Sequence, residues 1–128
     1  MSAEENKAVV RRLIESLNDQ NAQAFDEIAS PSVAQDLREG MQWVYATYEG
    51  HHADITDIIA EGEKVWVRLA TRGGHSGEWQ GIAPTGKQWT NTGVMFCRLA
   101  DGKVVEQEIL FDELGHLKQL GATIQPPS

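Results

Sequence analysis

Polar and apolar positions in the first half of the chain repeat with a helical period. The segment Ser2–Glu5 has the form of a capping box, and apolar residues follow it at every third or fourth position. This spacing predicts an amphipathic helix over residues 3–19, a short helix over 22–29 and a third helix over 34–49. Ser30-Pro31 separates the second helix from the third, because the residue before a proline avoids the helical region.

The second half alternates with a period of two, which is typical of half-buried strands. Helices followed by strands indicate an α+β domain, with the helices packed on one face of a mainly antiparallel sheet. Long twisted strands curl, and a curled sheet closed by helices encloses a cavity. A chain of 128 residues suffices for one core, so we expect a single domain over 1–128. The predicted strands cover 54–60, 64–71, 87–99 and 104–111, before a short helix that carries Leu114, Leu117 and Leu120.

Charge and composition narrow the classes of partner. Acidic residues outnumber basic ones by 19 to 11, so a basic face for nucleic acid is not expected. No apolar run is long enough to span a bilayer, and the lone cysteine, Cys97, lies in an apolar stretch where we expect it to be a buried hydrophobe. A chain with one cysteine suits a reducing, cytoplasmic setting. Metal-ligand spacings and phosphate-binding glycine loops are lacking, so we expect neither a metal nor an organic cofactor.

The last predicted strand carries the candidate carboxylates. Its even-numbered positions include Glu108, Leu110 and Asp112, and they face either solvent or the wall of a cavity. Asp112 stands where a strand gives way to a helix, so it is either the N-cap of that helix or a carboxylate at a cavity mouth. In the second case, desolvation would raise its pKa toward useful proton transfer.

The four histidines differ in their surroundings. His75 is flanked by glycines, and its side chain either donates to an oxyanion or ties its own loop together. His51 and His52 follow Gly50 and are expected in an exposed turn, and His116 is expected on the surface of the last helix.

Aromatic side chains are numerous, and they are either core residues or walls for a planar hydrophobic ligand. Trp66 is expected to cover another surface. One parity of the third strand combines an aromatic, an amide and a thioether, which would suit a pocket lining. The candidate ligand-binding residues are Trp43, Tyr45, Trp79, Trp89, Asn91, Met95 and Leu110.

A series of short motifs gives the chain a family resemblance. The motifs are Gly74-His75-Ser76-Gly77, the run from Gly81 through Pro84-Thr85-Gly86-Lys87, Asp101-Gly102-Lys103 with Asp112 further on, and Gln119-Leu120-Gly121. In this order they resemble the SnoaL-like polyketide cyclases, also called ester cyclases, over roughly residues 4–121.

The resemblance implies a cone-shaped α+β barrel of the nuclear-transport-factor-2-like kind, with N-terminal helices closing a curved sheet. It also implies self-association as dimers or tetramers through the open sheet face. Asp112 would be the general acid/base of a cofactor-free intramolecular aldol ring closure on a small hydrophobic carbonyl compound, and His75 would line or brace the pocket. Family members commonly have His-Trp where this chain has Gln107-Glu108, so Glu108 is a candidate second acid/base or interface residue.

Two other functions fit the same residues. An isomerase or hydrolase on this fold would use Asp112 with Glu108, and His75 as an oxyanion donor. A non-catalytic binding or dimerisation module would keep the cavity, and Asp112 would only cap the last helix.

Overall fold

The N-terminal third of the chain is helical. The structure, a computed structural model, describes residues 1–127. Helix α1 spans Ala3–Asn18, a 3₁₀ turn at Ala22–Ala24 leads into α2 at Phe25–Ile28, and α3 spans Pro31–Thr47. The predicted capping box is confirmed, because Ser2 Oγ accepts from the Glu5 backbone N–H and Glu5 Oε1 accepts from the Ser2 backbone N–H.

Four antiparallel strands follow in the order β1-β2-β3-β4. They span Tyr48–Glu61, Lys64–His75, Gln88–Ala100 and Lys103–Phe111, and helix α4 spans Glu113–Gln119. The α+β architecture, with N-terminal helices packed on an antiparallel sheet, is therefore as predicted. No helix within residues 1–127 is both long and apolar enough to cross a membrane.

Strand β1 begins well before its predicted start at residue 54. Tyr48 pairs with His75, and a register shift lies between Glu49 and His52. Gly50, with φ +62°, permits this bulge inside a strand, whereas its sequence context indicated a turn. The expectation of an exposed turn at His51 and His52 is wrong, because both lie in the strand and are partly buried.

The main core lies between the helices and the inner face of the sheet. Val65, Val67 and Leu69 point inward from β2, at every second position as predicted. Cys97 is fully buried among apolar neighbours, and burial raises the pKa of its thiol to about 12. The expectation that Cys97 acts as a small hydrophobe is confirmed.

The other face of the sheet, which we call the outer face, bears exposed aromatic and apolar side chains. Trp66 is 45% exposed and packs against Phe96, with 4.9 Å between ring centroids. In β4 a register shift follows Val104, so that Val104 is buried while Glu106 and Glu108 are exposed. Strict alternation predicted that the even-numbered positions of β4 share one environment. The register shift makes that prediction wrong.

Candidate functional site

A cavity of about 350 Å³ lies between helices α1 and α3 and the inner face of the sheet, with α4 at one end. Aliphatic side chains from both helices and the sheet form much of its wall, which suits an apolar ligand. The wall includes Ile14 and Leu17 of α1, Leu37, Met41 and Val44 of α3, and Leu69, Met95, Ile109 and Phe111 of the sheet.

Aromatic rings crowd one end of this cavity, which we call the aromatic end (Tyr48, Trp79, Trp89 and His116). The His116 ring centroid is 4.4 Å from that of Trp79 and 4.4 Å from that of Trp89, and Tyr48 lies 4.6 Å from Trp89. Each ring comes from a different element: the start of β1, the loop after β2, the start of β3, and α4. The long β1 and the folded-back α4 are what bring them together.

His116 is only 4% exposed, so the expectation of a surface histidine is wrong. Leu114 of the same helix is 43% exposed. Desolvation lowers the pKa of His116, and the charge of His75 lowers it further. The imidazole is therefore neutral near pH 7 and can serve as a hydrogen-bonding or proton-transferring group inside the cavity.

Asn91 connects His116 to the start of α4. Its Nδ2 donates to the Asp112 carbonyl oxygen at 3.2 Å and lies 3.4 Å from His116 Nδ1. Its Oδ1 accepts from the Thr92 backbone N–H at 2.8 Å. These contacts fix the orientation of the Asn91 amide at the cavity wall.

Two further polar rings line the cavity. Desolvation, followed by the charge of His52, lowers the pKa of His51 to about 4. Tyr45 Oη donates to the carbonyl oxygens of Leu17 and Asn18 at 3.0 and 3.2 Å, so it holds the end of α1. The sequence reasoning missed the titratable cavity residues His51 and His116, and also Asp36, Tyr48 and Glu113. Strand alternation gave no signal for His51, because the register shift between Glu49 and His52 interrupts it.

His75 is fully buried but does not line the cavity. Its Nδ1 accepts from the Thr85 backbone N–H at 3.2 Å and lies 3.0 Å from Thr85 Oγ1. Its backbone also exchanges hydrogen bonds with Gly86 and Lys87. His75 was expected either to donate to an oxyanion or to hold its own loop together. The hydrogen bonds to Thr85 support the second interpretation.

The predicted carboxylates lie away from the cavity. Asp112 is exposed and caps α4, because its Oδ1 accepts from the Gly115 backbone N–H at 2.8 Å. It borders a polar cleft that also includes Arg72. Glu108 neighbours Phe96 on the outer face, and Leu110 is 63% exposed, so the expectation that these two share a pocket wall is wrong. Gln107, Ile109 and Phe111 point inward in their place.

The structure does bring most of the predicted ligand-binding residues together. Trp43, Tyr45, Trp79, Trp89, Asn91 and Met95 all line the cavity. That they contact a ligand stays a prediction. Across residues 1–127, no three His, Cys, Asp or Glu side chains form a group that could hold a metal ion.

Comparisons with known proteins agree in both sequence and fold. Residues 7–120 match the family described as SnoaL-like polyketide cyclase. The nogalonic acid methyl ester cyclase of Streptomyces nogalater is 32% identical over 81 residues, which are 62% of this chain and 60% of the relative. The aklanonic acid methyl ester cyclase DnrD of Streptomyces peucetius is 31% identical over 77 residues, 60% of this chain and 53% of the relative. These alignments thus span little more than half of each relative.

Among solved structures, TsrD from Streptomyces laurentii is similar with a TM-score of 0.84 at 20% identity, covering 96% of this chain and 99% of that one. At this identity the likeness concerns the fold alone.

Proposed function

The chain belongs to the SnoaL-like polyketide cyclase family, and we propose that it is a polyketide ester cyclase that closes a ring by a cofactor-free intramolecular aldol reaction. The observation that carries the proposal is the cavity, which is apolar, walled by aromatic rings and provided with a neutral imidazole. A planar, conjugated carbonyl compound is the class of substrate that such a wall accommodates.

The reaction requires a base, a proton donor and a substrate that is held in one conformation. A base removes a proton from a carbon between two carbonyl groups, and the resulting enolate attacks a ketone carbon of the same molecule. A carbon–carbon bond forms, the carbonyl π electrons move to oxygen, and that oxygen takes up a proton. The cavity favours this step by folding the chain and by excluding water.

Asp112 as the acid/base stays a prediction. Its carboxylate is engaged with the Gly115 backbone N–H, and its carbonyl oxygen is held by Asn91, a residue of the cavity wall. To act on a substrate in the cavity, the carboxylate would have to exchange its hydrogen bond to Gly115 for one inside the cavity.

Turnover of the two esters named in the relatives tests the proposal. Purified protein is incubated with nogalonic or aklanonic acid methyl ester, and the product is identified by chromatography at unchanged mass. Asp112→Asn separates the two roles of Asp112, because asparagine also caps helices. If Asp112 is the base, turnover falls by roughly 10²-fold or more while the unfolding free energy changes little.

Two results would contradict these proposals. Full turnover in Asp112→Asn would leave Asp112 as a cap and place the acid/base among the cavity residues. No ring closure of either ester by the wild-type protein would count against the proposed reaction on these substrates.

We further propose that two copies associate through the outer face. Trp66, Phe96 and Val94 form an exposed apolar patch of the kind that marks protein interfaces. Arg68 lies beside this patch in β2 and Glu108 lies beside it in β4. A two-fold axis through the patch would set the arginine of one copy against the glutamate of the other, which makes the face self-complementary.

Light scattering after size-exclusion chromatography tests this association. The mass of the wild-type protein measured by light scattering should be twice that of the monomer. Trp66→Glu places a charge in the patch, so its measured mass should be that of the monomer. Ser32→Glu, at an exposed position of α3 on the helical side of the sheet, is the control and should keep the dimer. A monomeric wild-type protein at micromolar concentration would overturn the proposal.

A further inference from the structure

Two buried N–H donors without acceptors, on Trp89 and His116, lie at the aromatic end of the cavity, and a third, on His75, lies behind the cavity wall. Trp89 Nε1, His116 Nε2 and His75 Nε2 are each buried and have no hydrogen-bond partner within residues 1–127. A buried polar group left unpaired costs about 1–3 kcal/mol, so such groups are rare in folded proteins. Three of them in one neighbourhood indicate a place where an acceptor belongs.

The hydrogen-bond network fixes which nitrogen of His116 carries the proton. The Thr92 backbone N–H donates to Asn91 Oδ1, so the Asn91 Nδ2 group must be the one that faces His116 Nδ1. A group that donates to Nδ1 requires Nδ1 to be an acceptor, and the proton of the neutral imidazole then lies on Nε2.

The same reasoning applies to His75. The Thr85 backbone N–H donates to His75 Nδ1, so His75 also carries its proton on Nε2. Because both Nε2 atoms are donors, these two rings cannot satisfy each other with a direct hydrogen bond.

We infer that His116 Nε2–H and Trp89 Nε1–H form a site for an anionic oxygen, and that the ligand they take is the enolate of a planar, conjugated dicarbonyl compound. Both residues line the cavity, and their ring centroids are 4.4 Å apart. The indoles of Trp79 and Trp89 flank His116 and offer flat surfaces to the ring that carries this oxygen.

A neutral donor suits an enolate that must react onward. An imidazolium would hold the negative charge as an ion pair, whereas a neutral N–H stabilises the charge as it develops and releases it when the new bond forms. Burial, which lowers the pKa of His116, keeps the ring in this neutral form near pH 7. The inference rests on the proposed function for its substrate class, and on the geometry alone for its site.

Calorimetric titration with a matched pair of probes tests the site. The probes are 2-hydroxy-1,4-naphthoquinone, which is an enolate anion at neutral pH, and its neutral ether 2-methoxy-1,4-naphthoquinone. We expect the wild-type protein to bind the anion more tightly than the ether. His116→Phe keeps a flat ring but removes the donor, and it should weaken binding of the anion about tenfold, equivalent to about 1.4 kcal/mol, while the ether changes less than about twofold.

Three further variants test the two donors and serve as controls for packing and folding. Trp89→Phe removes the second donor and should reproduce the selective loss. His116→Gln restores a donor and should recover part of the preference for the anion, even if His116→Phe folds poorly. His52→Phe changes a histidine that does not line the cavity and should bind both probes as the wild-type protein does.

Equal affinity of the wild-type protein for the two probes would overturn the inference. An equal loss of affinity for both probes in His116→Phe would also overturn it. If His116→Phe loses affinity for the anion selectively and the wild-type protein turns over neither ester, the result would support the oxygen-binding site and count against the cyclase. Turnover of an ester without any preference for the anionic probe would support the cyclase and count against the oxygen-binding site.

Discussion

The two faces of the sheet are made from the same strands but have opposite electrostatic character. On β3, Met95 and Trp89 point inward to the cavity, while Val94 and Phe96 point outward. On the inner face, His51 has a pKa lowered mainly by burial, whereas the charged side chains of Arg68 and Glu108 are exposed on the outer face. Desolvation accounts for this division, because it penalises a buried charge and leaves an imidazole in its neutral form.

The comparison teaches that aromatic content alone does not identify the cavity. Trp66 and Trp89 both lie in strands of one sheet, yet Trp66 is 45% exposed and Trp89 is 4% exposed. What distinguishes them is the layer of helices over one face. The cavity is found where rings from the sheet meet rings from α3 and α4.

Adjacent residues of β3 offer the sharpest test of the difference between the faces. Met95 is 2% exposed on the inner face, and Val94 is 37% exposed on the outer face. Met95→Ala should lower the unfolding free energy by about 2–5 kcal/mol, because it removes buried side-chain contacts and leaves a void. Val94→Ala should lower it by about 1 kcal/mol or less. Denaturant unfolding of each variant measures both values.

The same experiment at two protein concentrations separates folding from association. If Val94→Ala is costly only at high concentration, the outer face gains stability from a partner copy. Equal losses for the two variants at low concentration would mean that the two faces are equally buried, which would contradict the assignment of inner and outer faces.

Sequence periodicity predicted the helices and most of the strands because each depends on local spacing. The capping residue Ser2 and the alternation of Val65, Val67 and Leu69 determine their elements without help from distant residues. The inward parity of Trp89, Asn91 and Met95 was also predictable, since β3 runs without a register shift against β2.

The residues of the site were harder to predict because they depend on irregular features. In β4 the apolar character of Ile109 and Phe111 did indicate that the odd-numbered positions face the helices, but no propensity marks the register shift beside Leu99 that buries Val104 as well. The bulge at Gly50 turns an expected loop into strand and brings His51 to the cavity. His116 is buried only because the loop after β2 supplies Trp79 to cover it, and this is a contact between distant segments.

A pH dependence of stability is also expected from the inner face. His51 has a pKa lowered to about 4 in the folded protein, against an ordinary value of 6.5. Between these pH values the unfolded chain binds a proton at this position and the folded chain does not, so stability falls as the pH drops from about 6.5 toward about 4. His51→Phe should lose less stability over the same window, as measured by urea unfolding at both ends of it. The difference should persist in high salt, because desolvation, its larger cause, is not screened. Identical pH dependence in the variant and the wild-type chain would mean that His51 faces water in solution.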